Sequence, residues 1–460
     1  MQVTQLYTKC LAQGAYFISS NGEAAVIDPL RETEPYIKLA AENGVKIKYI
    51  FETHFHADFV SGHIDLAKET GATIVYGPTA VPSFDAYVAK DNEVFKVGDL
   101  SVAVLHTPGH TMESSTFLLR DADGKDQALF TGDTLFLGDV GRPDLAQKAA
   151  NMTREELAGL LFDSLREKIM VLSDDLIVYP GHGQGSACGK AMSSDTVDTL
   201  GNQKATNYAL RANMTRDEFI KEVTDGLLAP PSYFPKNAAM NKFGYESIKE
   251  IQERGSKALS VEEFAAGSAH DDAVILDARD ANTFVKGFIP GAFSIGISGD
   301  FAPWVGIILT DIKAPIYLVV DENMVDEAVV RLARVGYDNV QGYLKGGVEA
   351  WKNSGKEVAT IKSVTPQAFI NDAHKMPVVD VRRTSEFNVA HVDEARNIPL
   401  DFIYSRMQDF PKKPFYIHCQ GGYRSVIAAS VLAKNGVEVV NIEGGYDGLV
   451  KAGQPMVEMA

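Results

Sequence analysis

An internal repeat in about the last 200 residues constrains the fold of this chain more than any other feature. The two copies begin with VILDARDANTFVKGFIPGAFSI from Val274 and with VVDVRRTSEFNVAHVDEARNIPL from Val378. Each copy continues with an apolar strand, a loop, a helix, another strand, a Gly-Gly pair and a final helix. Strands that alternate with helices of this length predict parallel βαβ units, so we expect two copies of one α/β domain.

The two copies differ at the end of one equivalent strand. In the second copy the strand PFYIH leads directly into Cys419, whereas Val320 takes the same position in the first copy. The copies should therefore share a fold but not a reactive thiol. We expect the first copy to have packing or partner duties rather than a catalytic one.

The first half of the chain places polar side chains at the ends of several apolar strands. The segment THFHADFVSGH at residues 53–63 contains three His and one Asp, and later strand ends supply His110, Asp133 and His182. A solvated loop would explain the first cluster alone. Four strand ends that each deliver imidazole or carboxylate favour a metal site instead. His106 lies on the apolar run LSVAVLHTP, which favours a hydrogen-bonded core histidine.

The motifs THFHAD, PGH, GD and PGH, in this order over about residues 1–250, resemble those of the metallo-β-lactamase superfamily. The resemblance implies an αββα sandwich with its metals at one edge of the two sheets. Hydrolytic members such as glyoxalase II carry H-x-H-x-D-H, and their second metal needs the Asp and the final His. Here Asp58 is followed by Phe59, so one ligand of a binuclear Zn hydrolase is missing.

The pattern is more similar to that of the persulfide dioxygenase branch, which implies a single Fe(II) on His54, His110 and Asp133. Two imidazoles and one carboxylate leave coordination positions open for a substrate and O₂. A site made of His54, His56 and His110 would instead favour Zn. Further candidates for the metal's surroundings, or for alternative ligands, are His56, Asp58 and His182.

Two loops of the same region are candidates for substrate and sulfur handling. GDVGRPD at residues 138–144 is similar to a stretch of that branch, and Arg142 either binds a carboxylate of a thiol-peptide persulfide or forms a structural salt bridge. Cys188 lies six residues after His182 in GHGQGSACGK, which resembles a loop of fused members of the branch. Cys188 either receives or relays sulfur, or it is an inert loop thiol.

The segment HCQGGYRS indicates a second chemistry. Cys419 lies at a turn from a strand into a helix, where backbone N–H groups and the helix N-terminus favour the thiolate. Arg424 adds a positive charge, and such a cradle binds anions like sulfite or thiosulfate. The loop residues expected to bind substrate are Gly421, Gly422 and Tyr423.

This segment resembles the rhodanese active-site loop, and the wider pattern covers about residues 362–460. Sulfurtransferases of that family have a loop of six residues, as here. The related dual-specificity phosphatases have a loop one residue longer, which makes phosphatase chemistry the weaker alternative.

Composition limits the partners and the compartment. The chain has 44 basic against 61 acidic residues, a net charge of −17, which repels nucleic acid. It has three widely spaced cysteines, typical of a reducing compartment, and contains no apolar run long enough to span a membrane. We therefore expect a soluble cytoplasmic protein, without nucleic-acid or membrane partners, that forms a homo-oligomer.

The sequence thus predicts an α/β protein with three domains. They are an αββα sandwich at residues 1–252, a degenerate rhodanese-like domain at 258–358 and a catalytic rhodanese domain at 362–460, both with parallel sheets. One Fe(II) per chain, with Zn as the alternative, would oxidise a persulfide of glutathione or coenzyme A with O₂ to sulfite. Cys419 would then make or use thiosulfate, in sulfide detoxification.

Two other functions remain open at this point. One is a Zn thioesterase or lactonase, similar to glyoxalase II, with an attached sulfur carrier. The other is a sulfur-trafficking scaffold whose first domain only binds metal.

Overall fold

A computed structural model describes residues 2–227, 229–372 and 376–458. The chain forms two compact units. One comprises the chain up to Ile248 together with Leu332–Tyr337, and the other comprises Lys249–Arg331 and the chain from Asp338 onward. The predicted boundaries at 252, 258, 358 and 362 remain predictions.

The first unit contains two sheets of mixed direction. The first sheet pairs, in chain order, β1 (Gln2–Thr8), β2 (Gln13–Ser20), β3 (Glu23–Ile27), β4 (Lys46–Glu52), β5 (Thr73–Tyr76) and β6 (Tyr87–Val88). The second runs in the order β12-β11-β10-β9-β8-β7, with β7 (Val94–Val97), β8 (Leu100–His106), β9 (Ser115–Arg120), β10 (Asp126–Gly132), β11 (Ile177–Pro180) and β12 (Asp198–Thr199). The β2–β3 hairpin turns at Asn21 and Gly22, which have φ of 41° and 80°. Both residue types tolerate this left-handed conformation.

Helices cover the outer face of each sheet. They are α1 (Glu34–Glu42), α2 (His63–Thr70), α3 (Gln147–Ala150), α4 (Arg154–Ser164), α5 (Leu200–Thr206), α6 (Arg216–Thr224) and α7 (Phe234–Phe243), with a π-helical turn at Leu165–Ile169 and a 3₁₀ turn at Tyr208–Leu210. The next helix, α8 (Ile248–Gly255), lies almost entirely in the second unit.

The sandwich is held by apolar side chains that alternate between the two faces of each strand. Along β2, Tyr16 and Ile18 face the second sheet, while Ala15 and Phe17 face the helices. Between the sheets, the ring centroids of Phe51 and Phe117 are 4.9 Å apart. This arrangement is the αββα sandwich that the sequence predicted.

The second unit contains two parallel sheets with the same strand order. The first copy runs β13-β17-β16-β14-β15, with β13 (Ala258–Leu259), β14 (Val274–Asp277), β15 (Phe293–Ser294), β16 (Ile316–Val319) and β17 (Val340–Leu344). The second runs β18-β23-β22-β19-β21, with β18 (Lys362–Val364), β19 (Val378–Asp380), β21 (Arg396–Asn397), β22 (Phe415–His418) and β23 (Val439–Ile442). β20 (Ala390–Val392) pairs antiparallel with β24 (Met456–Glu458).

Helices surround these sheets in both copies. They are α9 (Val261–Ser268), α10 (Ala281–Phe284), α11 (Phe301–Ile308), α12 (Val325–Arg334), α13 (Gly347–Asn353), α14 (Pro366–Asp372), α15 (Thr384–Val389), α16 (Tyr423–Lys434) and α17 (Gly445–Lys451), with 3₁₀ turns at Glu322–Met324, Leu400–Phe402 and Met407–Asp409. In the described parts of the chain, no helix is both long and apolar enough to cross a bilayer.

The repeat is also visible in an ion pair that both copies contain at the same position. Asp277 ends its strand and pairs with Arg279, and Asp380 pairs with Arg382 in the same way, with closest N–O distances of 2.5 and 2.7 Å. Each guanidinium also donates to a backbone carbonyl in the following segment. The predicted duplication of one α/β fold is therefore confirmed.

The packing between the sheets predicts the effect of one truncation. Phe51→Ala should lower the free energy of unfolding by about 3–5 kcal/mol, because a fully buried ring is replaced by a cavity. Phe243→Ala is the control: Phe243 is 63% exposed, so its loss should change stability by no more than about 0.5 kcal/mol. Urea denaturation of both variants measures this. Equal effects would contradict the sandwich packing.

Candidate metal centre and cysteine loop

Three predicted ligands meet where strands of the two sheets end. His54 follows β4, His110 lies in the loop after β8, and Asp133 directly follows β10. All three are buried, and one donor atom from each lies within 4.8 Å of the others. Asp133 Oδ2 is 3.5 Å from His110 Nε2 and 4.0 Å from His54 Nε2.

Hydrogen bonds to the opposite ring nitrogens fix how both imidazoles present themselves. The backbone oxygen of Arg142 lies 2.9 Å from His110 Nδ1 and can only accept, so Nδ1 donates. The Thr53 hydroxyl donates to Asp28 at 2.8 Å and therefore accepts from His54 Nδ1 at 2.9 Å. Both Nε2 atoms are thus left with a lone pair for a metal ion.

Charge and burial in this cluster fit a single cation. Burial lowers the pKa of His54 well below its ordinary value, which keeps the ring neutral. Burial raises the pKa of Asp133, but His182, His54 and His110 lower it more, so the net shift is downward. Asp133 Oδ2 is buried without a hydrogen-bond partner among the described residues. A cation bound there would compensate this buried charge.

His56 does not join this cluster, although its ring centroid is 4.2 Å from that of His54. Its Nε2 lies 3.1 Å from Asp28 Oδ1 and 3.5 Å from Glu52 Oε2. Burial lowers the pKa of His56, but Asp28, Glu52 and Asp58 raise it to about 9. His56 thus contacts carboxylates, and it does not complete the site of three imidazoles that the sequence left open.

Asp58, His182 and Cys188 form a second buried group next to the first. His182 Nε2 is 2.7 Å from Asp58 Oδ2, and its Nδ1 is 2.8 Å from Asp133 Oδ1. Burial lowers the pKa of His182, but the two carboxylates raise it well above its usual value. Burial raises the pKa of the Cys188 thiol, assisted by the same carboxylates. In this state His182 is an imidazolium between two acids.

Two neighbouring residues shape the centre in other ways. Phe59 is fully buried, with its ring centroid 4.4 Å from that of His56, so an apolar ring stands next in sequence to Asp58. Arg142 is buried and forms a bidentate pair with Asp144, with two N–O distances of 2.7 Å. This pair is the structural salt bridge that the sequence left open, and a role of Arg142 in substrate binding stays a prediction.

The cysteine loop occupies the turn from β22 into α16. Cys419 is buried, and its Sγ accepts a hydrogen bond of 3.1 Å from the N–H of Gly422, whose φ is 102°. The Cys419 carbonyl accepts from the N–H of Tyr446 at 2.7 Å. A Cβ at Gly445 would lie 2.4 Å from that same carbonyl oxygen. The Gly-Gly pair at the start of α17 therefore lets the backbone approach the loop closely and support it.

The side chains of the loop point in different directions. Both terminal nitrogens of Arg424 bind the carboxylate of Glu386, at 2.6 and 2.7 Å. Tyr423 donates from its hydroxyl to the Gly296 carbonyl of the first copy at 2.8 Å. Space is open beside Gly421, where a Cβ would have no neighbour within 4 Å.

Sequence reasoning missed several contributors to both sites. They are Thr53, the carbonyl of Arg142, Asp28, Glu386 and Gly296. Glu386 stands three residues after Arg383, whose N–H donates to it, and this spacing indicates a helix start but not the contact with Arg424.

Comparisons with known proteins identify the families to which the parts of the chain are similar. The sequence matches the Metallo-beta-lactamase superfamily over residues 9–182 and the Rhodanese-like domain over residues 260–354 and 365–452. A crystal structure of a metallo-β-lactamase from Staphylococcus aureus subsp. aureus COL is 32% identical, with a TM-score of 0.65, over 74% of this chain and 98% of that one. The chain belongs to the metallo-β-lactamase superfamily and carries rhodanese-like domains.

Two curated relatives differ in their named activity. The human mitochondrial persulfide dioxygenase ETHE1 is 30% identical over 43% of this chain and 70% of its own length. The probable hydroxyacylglutathione hydrolase glo2 of Schizosaccharomyces pombe is 34% identical over 34% of this chain. This chain spans 58% of the length of glo2. Sequence identity alone therefore does not choose between oxidation and hydrolysis.

The donor geometry predicts which histidine matters for metal binding. His110→Ala should weaken the binding of a divalent metal ion, Fe(II) or Zn²⁺, at least about tenfold, because it removes one of three donors. His106→Ala is the matched control, since His106 lies in the same segment and its Nε2 contacts the Met112 carbonyl at 2.9 Å. Anaerobic titration against a competing chelator measures both. Equal affinities in the two variants would contradict the assignment.

Proposed function

We propose that the chain is a mononuclear Fe(II) persulfide dioxygenase joined to a rhodanese sulfurtransferase. The observation that carries the proposal is the presentation of two Nε2 lone pairs and the unpartnered Asp133 Oδ2 to one point. Two imidazoles and one carboxylate are the typical ligand set of non-haem Fe(II) oxygenases. The proposed substrate is a persulfide of glutathione or coenzyme A.

The residues around the metal have distinct proposed tasks. His54, His110 and Asp133 would hold Fe(II), which supplies the redox chemistry that activates O₂ beside the terminal sulfur. The Arg142 carbonyl and Thr53 keep the imidazoles in one tautomer. The His182 imidazolium holds Asp133 Oδ1, so Oδ2 stays available. The overall reaction is RSSH + O₂ + H₂O giving RSH, sulfite and two protons.

The cysteine loop would handle the second reaction. The Cys419 thiolate attacks the outer sulfur of a further persulfide, the S–S bond breaks, and the thiol leaves. Sulfite then takes that sulfur, which yields thiosulfate and restores the thiolate. Gly422 supports the negative charge on Sγ through its N–H. The reverse transfer, from thiosulfate to a thiol, uses the same atoms.

A hydrolase is the second candidate, and one observation favours it. Asp58, His182 and Cys188 place three donor atoms within 4.8 Å of one another, beside the first cluster. If His182 lost its proton, this group would have the donors for a second ion, and Zn²⁺ accepts such nitrogen, sulfur and oxygen ligands. The relationship to a probable hydroxyacylglutathione hydrolase is in line with this alternative.

One experiment separates these functions. Anaerobically purified protein should contain one iron per chain and should take up O₂ with glutathione persulfide. His110→Ala should end O₂ uptake but leave thiosulfate:cyanide sulfur transfer intact, and Cys419→Ser should do the reverse. Two zinc ions with thioester cleavage in the absence of O₂ would establish the hydrolase. Loss of every activity in Cys419→Ser would indicate a sulfur-trafficking scaffold.

The Arg424–Glu386 pair predicts how the loop treats anions. Because Glu386 neutralises the guanidinium, a dianion such as thiosulfate must compete with it. Glu386→Gln should therefore lower the KM for thiosulfate about threefold to tenfold. Glu438→Gln, on the exposed surface of the same domain, is the control. A higher KM in Glu386→Gln would show instead that Glu386 orients Arg424 for substrate.

The remaining expectations stay predictions. They concern sulfur relay through Cys188, the homo-oligomeric state and a cytoplasmic location. A Cys188→Ser variant that still converts persulfide to sulfite at the full rate would remove Cys188 from the scheme.

A further inference from the structure

Tyr423 links the cysteine loop to the first rhodanese-like copy. It stands between Gly422, whose N–H binds Cys419 Sγ, and Arg424. Its side chain leaves the loop, and its hydroxyl donates to the backbone carbonyl of Gly296 at 2.8 Å. The residue at the centre of the loop is thus held by the copy that lacks a cysteine.

Two glycines of the first copy pack against the ring of Tyr423. A Cβ at Gly299 would lie 2.4 Å from Cζ of the Tyr423 ring, and a Cβ at Gly296 would lie 3.4 Å from the ring. The segment 296–299 is tied to β14, because the N–H groups of Ile295 and Ile297 donate to the carbonyls of Asp277 and Ala278 at 2.9 Å. Residues 296–299, called the receptor below, therefore leave space for the Tyr423 ring and are fixed to the sheet.

The helix that begins at Tyr423 is attached to the same copy along its length. Ser430 accepts a hydrogen bond of 3.0 Å from the N–H of Ser294 on the edge strand β15. Near the end of α16, Lys434 Nζ lies 4.5 Å from the ring centroid of Phe293. Together with the ring of Tyr423, these contacts fix where α16 starts.

We propose that residues 296–299 of the first copy are a positioning element for Cys419, acting through Tyr423. Only the two backbone torsions of Gly422 separate its N–H from the peptide bond to Tyr423, so the ring's anchor restricts the orientation of the N–H that supports the sulfur. Without the anchor, that N–H loses its fixed direction towards Sγ, and the thiolate loses a charge-assisted hydrogen bond. The proposal rests on the sulfurtransferase function proposed for Cys419.

The test introduces a methyl group into the receptor. Gly299→Ala in the full-length chain should lower kcat/KM for thiosulfate:cyanide transfer about tenfold. The same substitution should slow the alkylation of Cys419 by iodoacetamide at pH 7 by a similar factor. Mass spectrometry of the peptide that contains Cys419 measures this rate. Gly267→Ala is the matched control, because it places a Cβ 2.2 Å from the Tyr317 hydroxyl elsewhere in the same copy. This control should change neither rate.

A double-mutant cycle distinguishes the anchor from a general loss of stability. Tyr423→Ala should itself slow both rates about tenfold, whereas Tyr423→Phe, which keeps the ring, should slow them by about threefold. In the Tyr423→Ala background, Gly299→Ala should have no further effect, since the methyl group then meets no ring. Additive effects of the two changes would overturn the proposal, as would unchanged alkylation in Gly299→Ala.

The Cys419→Ser and Gly299→Ala variants together distinguish an error in the positioning role of Tyr423 from an error in the function proposed for the loop. If Cys419→Ser keeps sulfur transfer, the proposed function of the loop is wrong. If Cys419→Ser is inactive while Gly299→Ala matches the wild type in both rates, the loop is catalytic but Tyr423 does not position it. Thermal melting of every variant identifies those that do not fold, and Tyr423→Phe retains the packing if the others fail.

Discussion

The candidate metal centre depends on hydrogen bonds to the ring nitrogens that face away from it. The carbonyl of Arg142 and the hydroxyl of Thr53 hold the Nδ1 protons, so His110 and His54 present lone pairs on the opposite nitrogen. The surrounding backbone must approach closely to achieve this. A Cβ at Gly141 would lie 1.9 Å from the Asp133 carbonyl oxygen. The loop that carries Arg142 can therefore pass this close to Asp133 only because residue 141 is glycine.

The second unit contains two copies of one fold that differ in the loop proposed for sulfur transfer. Both copies keep the strand order and the Asp–Arg pair at the end of a central strand. The loop after the equivalent strands differs, with buried Val320 in one copy and Cys419 in the other. The copy without a thiol retains a full α/β core and contacts the helix that follows the thiol.

Much of this structure follows from sequence pattern. Strand ends are local signals, so a cluster of imidazoles and carboxylates could be predicted from them, and the family resemblance singled out His54, His110 and Asp133. Other contacts join residues distant in sequence, such as Glu386 and Arg424, which are 38 positions apart. No periodicity or propensity encodes these partners, because tertiary packing decides them. The same holds for His56, which belongs to the histidine motif in sequence but contacts the neighbouring carboxylates in the structure.

Asp28 is hydrogen-bonded to Thr53 and lies next to His56, so it influences both histidines of the motif. Its carboxylate receives the N–H and hydroxyl of Thr53 and also faces His56 Nε2. The tautomer of one imidazole and the direction of its neighbour two positions away thus have a common origin. A descendant of this chain that recruits His56 for a different ion would have to alter Asp28, and would thereby disturb His54. Such a change would therefore require coordinated substitutions at Asp28 and around His54.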